Sequence, residues 1–205
     1  MKTISSYEQL DKLGRTRLSS NFFMRDFLYS EIAAWHQLRN IPDHPEVAIE
    51  AGQMLCMQLL EPLQATFGRI EIRSAYRSPA VNEFGNKNGL NCGSTESNYG
   101  AHIWDYRDSA RQELGAMACV VVPWFADRME QGHPWTEMAW WIHDHLPYST
   151  LQFFASGAFN IGWQQTPQRT IRSTVAPHKL TAPEMANHTG NHANEYLEFP
   201  PLRAS

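Results

Sequence analysis

The chain has 205 residues and a formal net charge of −4. Hydrophobic residues make up 42% of it, and aromatic residues make up 12%. This composition excludes a disordered chain and fits a single domain. Neutralising phosphates needs clustered basic charge. Because no Lys/Arg cluster is present, we expect no nucleic-acid partner. Three scattered cysteines, Cys56, Cys92 and Cys119, exclude a disulfide framework and a CxxC zinc site.

The N-terminal sequence MKTISSYEQLDKLGR lacks the apolar core of a secretory signal. The longest apolar run, residues 117–124, is too short to span a bilayer. We therefore expect a cytoplasmic protein without a membrane partner. Its oligomeric state is not predicted by any of these features.

The first third of the chain predicts helices. Asn21 can cap a helix whose apolar positions run from Phe23 to Trp35 at gaps of three and four residues. After a proline-marked turn, residues 46–66 predict a long helix that is bent at Pro62.

The pattern then changes. RIEIRSAYRS alternates apolar and charged residues, which predicts a half-buried strand. Residues 83–100 are rich in Gly and Asn and predict a long irregular loop, which is often functional at this length. Residues 115–129 fit a buried strand or a helix equally well. PWTEMAWWIHDHL predicts a helix, and LQFFA with AFNIGW predicts a hairpin that TIRS follows.

Helices followed by a small sheet predict an α+β fold, with N-terminal helices packed on a mostly antiparallel sheet. We expect one domain over residues 1–205. Its core would cover residues 17–165, and residues 166–205 would form an extended C-terminal tail.

These segments resemble the zinc D-Ala-D-Ala carboxypeptidase family over roughly residues 17–165. LSSNFFMRDFLYSEIA, NIPDHPEV, LLEPLQATF and SAYRSPAVN follow one another in the family's order and spacing. The resemblance implies a hedgehog/DD-peptidase-type fold and peptidoglycan-type substrates. It also implies a zinc ion held by His, Asp and His, with a Glu as general base.

The second half carries fewer of the family's residues. If Asp105 fills the family's aspartate position, the first histidine position falls on Asn98, and a second alignment moves it to Ser97. The terminal WxH motif would lie near 159–161 and the glutamate near 153–154, where this chain has neither residue type. We therefore expect the family's zinc-peptidase chemistry to be lost.

Five residues are candidate site residues. The resemblance implies that Arg77 helps to hold the substrate, since a guanidinium suits a terminal carboxylate; the alternative is that it braces its own loop. Ser78 and Asn82 either contact the substrate or shape the turn. His102 and Asp105 form an HxxD pattern that would act in catalysis and hold a metal such as zinc. Alternatively, Asp105 only fixes the imidazole, and positions three apart in a regular strand face opposite sides.

Other histidines are weaker candidates. His143, Asp144 and His145 lie at the end of a predicted helix, where histidines complement the helix dipole. His188 and His192 have the spacing of an HExxH motif without its Glu.

Three roles remain open. The chain is either a divergent peptidase-like protein that binds a small peptide-like or amino-acid-like ligand, with or without a rewired metal site, or an inactive module that binds peptidoglycan-type peptides or another protein. A purely structural role is the third alternative.

Overall fold

The computed structural model describes residues 4–203 and contains helices together with one six-stranded sheet. The helices are α1 (Tyr7–Gly14), α2 (Glu31–His36), α3 (Pro45–Leu55), α4 (Glu61–Phe67), α5 (Pro79–Lys87), α6 (Pro123–Glu130) and α7 (Trp135–His145). The strands are β1 (Glu71–Ser74), β2 (Gly115–Val121), β3 (Thr150–Phe153), β4 (Phe159–Gln164), β5 (Thr170–Ser173) and β6 (Lys179–Thr181). Short 3-10 turns cover Met24–Phe27, Glu96–Asn98, Ala186–His188 and Ala193–Glu195.

The strands are ordered β1-β2-β4-β3-β5-β6. All neighbouring pairs are antiparallel except β3 with β5. This confirms the predicted α+β class and the mostly antiparallel sheet. It also confirms the hairpin, which is formed by β3 and β4.

The two faces of the sheet differ in chemistry because successive strand residues point to opposite sides. One face is apolar and contributes to the core, and α3 packs on β2 and β4. Its side chains include Phe153, Phe159, Ile161 and Trp163. The other face carries polar side chains at the intervening positions, and these become important at the candidate site.

The helix predicted from Asn21 is interrupted. A 3-10 turn covers Met24–Phe27, and α2 begins only after Ser30, whose hydroxyl accepts a hydrogen bond from the Ala33 amide at 3.3 Å. The Asn21 side chain donates instead to Glu61 at 2.6 Å. A tertiary contact thus occupies the expected cap, and a serine nine positions later starts the helix.

The long helix predicted over residues 46–66 is present as α3, a π-helical turn over Cys56–Leu60, and α4. Pro62 has no N–H to donate to the carbonyl four residues before it. The hydrogen-bond ladder therefore widens in the preceding turn, as is common where a helix accommodates an irregularity.

The predicted loop over residues 83–100 is shorter than expected, because α5 continues to Lys87. The predicted boundary between core and tail at residue 165 is wrong, because β5 and β6 belong to the sheet and the core therefore extends to Thr181. Among residues 4–203, no helix combines the length and apolar composition needed to cross a bilayer.

Residues 182–203 lie against the helices. Phe199 packs with the rings of Phe67 and Trp124, at centroid distances of 5.9 and 5.0 Å. The Trp141 indole N–H donates to the Pro200 carbonyl at 3.0 Å. The segment therefore covers part of the helical layer.

Candidate functional site

A cavity of about 890 Å³ lies on the polar face of the sheet. Its floor includes Met117 and Cys119 of β2, Asn160 of β4 and Gln152 of β3. Its walls come from residues 29–32 at the start of α2, from residues 90–93, and from the segment that ends at His102. Strand register creates the floor, because Cys119 pairs with Asn160, and Asn160 pairs with Gln152.

Arg77 lies in the wall of this cavity, in the connection between β1 and α5. Its backbone N–H donates to the His102 carbonyl at 2.8 Å. Its Nη1 donates to the Asn82 side-chain oxygen at 3.4 Å and lies 2.9 Å from the Cys92 sulfur. No partner is found for Nε or Nη2 among residues 4–203. The guanidinium is thus oriented from one side and retains N–H groups for a ligand.

Ser78 and Asn82 do not contribute to the cavity wall. The Ser78 hydroxyl accepts from the Val81 amide at 3.3 Å and so caps α5, while it donates to the Arg39 carbonyl at 3.2 Å. Asn82 is fully buried, and its Nδ2 donates to the Gly93 carbonyl at 3.1 Å. These contacts give both residues a role in shaping the turn, and the predicted substrate contacts are not among them.

Asn40 supports the same region from a distant part of the sequence. Its Nδ2 donates to the carbonyls of Leu28 at 3.0 Å and Tyr76 at 2.9 Å. Its Oδ1 accepts from the Ser78 amide at 2.7 Å. One side chain therefore fastens the residues that flank Arg77 to the segment that leads into the opposite wall.

His102 is buried in the cavity wall, with 5% of its surface exposed. Its Nδ1 lies 2.8 Å from the Ala75 carbonyl oxygen. Because a carbonyl oxygen only accepts, Nδ1 carries the proton and Nε2 carries the lone pair. Burial, together with the charge of Arg77, lowers the pKa of His102 to about 3. The imidazole is therefore neutral near pH 7 and offers an acceptor to a ligand.

Asp105 serves a different part of the structure. Its Oδ2 accepts from the amides of Asp43 at 2.7 Å and His44 at 3.2 Å, and its Oδ1 accepts from the Tyr76 hydroxyl at 3.1 Å. Burial raises the pKa of Asp105, although these hydrogen bonds act to lower it. The carboxylate thus holds the turn that precedes α3.

Within the described residues, the side chains of His102 and Asp105 form no hydrogen bond with each other. Asp105 also lies outside the cavity wall that contains His102. These positions favour a structural role for Asp105. A metal held by His102 and Asp105 together stays a prediction.

The ligand atoms of His143, Asp144 and His192 lie within 4.8 Å of one another and could hold a metal ion. Their atoms already have partners. His143 bonds the Tyr148 hydroxyl at 2.7 Å through Nδ1 and the His188 carbonyl at 2.9 Å through Nε2. His192 Nδ1 lies 2.7 Å from the Asp144 carboxylate. The cluster therefore fastens residues 188–192 to α7.

The polar floor of the cavity is not among the predicted site residues. Asn160 and Gln152 occupy cavity-facing positions in strands that were recognised only by their apolar residues. Cys119 is buried and also lines the cavity. The period of two within the predicted hairpin places both residues on the face opposite its apolar side chains, but it does not pair them with each other.

The site offers arginine donors, an imidazole acceptor and side-chain amides around one cavity. Comparisons with protein-family models, with curated proteins and with solved structures found no match to this chain. A functional assignment therefore depends on the chemistry of the cavity.

Proposed function

We propose that the protein binds a small peptide-like or amino-acid-like ligand through a carboxylate group at Arg77. The observation that carries this proposal is the position of the Arg77 guanidinium in the wall of the polar cavity, with Nη1 held by Asn82. Arginine binds carboxylates through two parallel hydrogen bonds when its fork is oriented in advance. The Nε and Nη2 groups suit this geometry.

The other groups of the cavity fit the rest of such a ligand. The neutral imidazole of His102 accepts a hydrogen bond from an N–H group. The side-chain amides of Asn160 and Gln152 each offer a donor and an acceptor, which is the combination that a peptide bond requires. The carboxylate of Glu31 in the wall suits an ammonium group.

The resemblance to the zinc D-Ala-D-Ala carboxypeptidase family supports the same ligand class, because those enzymes act on short peptides that end in a carboxylate. We propose a divergent relative of that family which has kept Arg77 and changed the groups around it. Such a relative would bind its ligand without catalysing a reaction. The alternative is an enzyme with a rewired metal site at His102.

Arg77→Ala is expected to weaken binding of N-acetyl-D-Ala-D-Ala by about tenfold to a hundredfold, because two charge-assisted hydrogen bonds are removed. Isothermal titration calorimetry measures this change. Arg69→Ala is the matched control, since Arg69 lies before β1 with 81% of its side chain exposed and pairs with Glu71. An unchanged affinity in Arg77→Ala, with the fold retained by circular dichroism, would contradict the proposal.

No release of D-alanine from that peptide is expected, with or without added zinc. Catalytic zinc needs three protein ligands, an open position and a general base. In the part of the chain that the structure describes, His102 belongs to no group of three metal-ligating side chains. The assay compares the wild type with His102→Ala, and the two should be equal. Chelator-sensitive turnover in the wild type alone would show that a metal site exists at His102.

A further inference from the structure

The cavity crosses the sheet from one strand to the next. Ser74 of β1 pairs with Cys119 of β2, Cys119 pairs with Asn160 of β4, and Asn160 pairs with Gln152 of β3. Thr174 follows directly after β5 and also lines the cavity. Directly paired residues lie on the same face of a sheet. The cavity is therefore an elongated groove that crosses four strands and reaches the end of β5.

The length of this groove follows from the spacing of the strands. Four intervals separate β1 from β5, and strands lie about 4.8 Å apart, so the groove is about 19 Å long. An extended peptide advances about 3.3 Å per residue, so about six residues span this distance. One amino acid would occupy only the end near Arg77.

Among the residues that line the groove, the basic ones, Arg73 and Arg77, lie at the end beside β1. Gln152, Asn160 and Thr174 on the other strands are uncharged. Arg172 of β5 pairs with Gln152 on the same face of the sheet but does not line the cavity. No hydrogen-bond partner is found for the side-chain amides of Asn160 and Gln152 within residues 4–203. A ligand with one anionic end and repeated amide groups matches this distribution.

Apolar residues lie along the same groove. Phe154 follows β3, Met117 belongs to the floor, and Ile32 and Leu90 belong to the walls. A peptide offers side chains to such surfaces in addition to its backbone amides. A free phosphate or a single sugar would use only the basic end.

We propose that the ligand is an extended peptide of about six residues. Its C-terminal carboxylate binds at Arg77, and its chain crosses β2, β4 and β3 towards Thr174. This inference rests on the proposed function, since it takes the carboxylate anchor from it and adds the length and direction of the ligand. Asn160 and Gln152 contact backbone amides that lie upstream of the C-terminal residues.

The test measures affinities for N-acetylated alanine peptides of two, four and six residues, in both the L and the D series, by isothermal titration calorimetry. Affinity is expected to rise at least about tenfold from two to six residues, because each added hydrogen bond contributes to binding. Gln152→Ala should weaken binding of the six-residue peptide and leave the two-residue peptide unchanged. Gln53→Ala in α3, outside the groove, is the matched control.

The outcomes separate the two proposals. Equal affinities for two and six residues, with no effect of Gln152→Ala on the longer peptide, would overturn the extended ligand and leave the carboxylate site standing. If no peptide of either series binds, both proposals fail. If C-terminally amidated six-residue peptides bind as tightly as the free acids, the carboxylate anchor at Arg77 is wrong, and the direction of the ligand that depends on it is wrong as well.

Discussion

Asp105→Ala is expected to lower the free energy of unfolding by about 3–5 kcal/mol. The carboxylate is 2% exposed and accepts hydrogen bonds from two backbone amides and from the Tyr76 hydroxyl. Alanine leaves these donors without their acceptor, and the Tyr76 side chain is fully buried. Urea unfolding measured by circular dichroism gives the change.

Asp105→Asn is the matched variant. Its side-chain oxygen can accept from the amides of Asp43 and His44, and its NH₂ group can donate to the Tyr76 hydroxyl. We expect a loss of only about 1–2 kcal/mol, because the shape and most hydrogen bonds remain. If Asp105→Ala unfolds at the same urea concentration as the wild type, the structural role given to this carboxylate is incorrect.

Stability is expected to fall as the pH is lowered from 8 to 5. The pKa of His102 is about 3 in the folded protein and 6.5 in its unperturbed state. Below pH 6.5 the unfolded chain therefore binds a proton that the folded chain does not. At pH 5 this difference costs about 2 kcal/mol from His102 alone. The stability is fully present above pH 6.5 and is lost progressively as the pH falls towards 3.

Two further histidines act in the same direction. Burial lowers the pKa of His143 and of His188. Two carboxylates contribute to stability at lower pH. Burial acts to raise the pKa of Glu61, but hydrogen bonds with Ser19 and Asn21 lower it. Burial likewise opposes the lowered pKa of Asp144, which results from hydrogen bonds with His192 and Tyr196. Their stabilisation is lost only as those carboxylates become protonated.

His102→Asn separates the contribution of the cavity histidine. The asparagine NH₂ group can still donate to the Ala75 carbonyl, but it does not titrate. The slope of the unfolding free energy against pH gives the number of protons taken up on unfolding. Between pH 6.5 and 5 this number should decrease by about one in the variant. Urea titrations at several pH values measure this slope. An identical slope in both proteins would contradict the lowered pKa of His102 and indicate an imidazole that is exposed to water.

The sequence predicted the fold class because hydrophobic periodicity is local. The β3–β4 hairpin and helix α7 were recognisable from residues within each segment. The start of α2 was not, because Asn21 is drawn to Glu61, which lies forty positions away. The prediction of a tail from residue 166 was wrong for a similar reason. β5 pairs in parallel with β3, although β4 lies between these two strands in the sequence.

The candidate site was predicted in part. Arg77 lies in the cavity wall, beside His102. The role of Asp105 depends on amides about sixty residues earlier in the chain, and no spacing rule identifies such partners. The floor formed by Asn160 and Gln152 needed the register between strands, which the hairpin sequence alone leaves undetermined.

The hydrogen bonds of Asn40 have a consequence for the speed of ligand binding. They join the Leu28 carbonyl, next to the wall at Tyr29, to Tyr76 and Ser78 on either side of Arg77. These bonds hold the residues around Arg77 in a fixed position relative to the wall at Tyr29, which favours a groove that is formed before the ligand arrives. A preformed site binds without a closing step, so encounter by diffusion would set the association rate. Differences in affinity between peptides would then arise from how long each complex lasts.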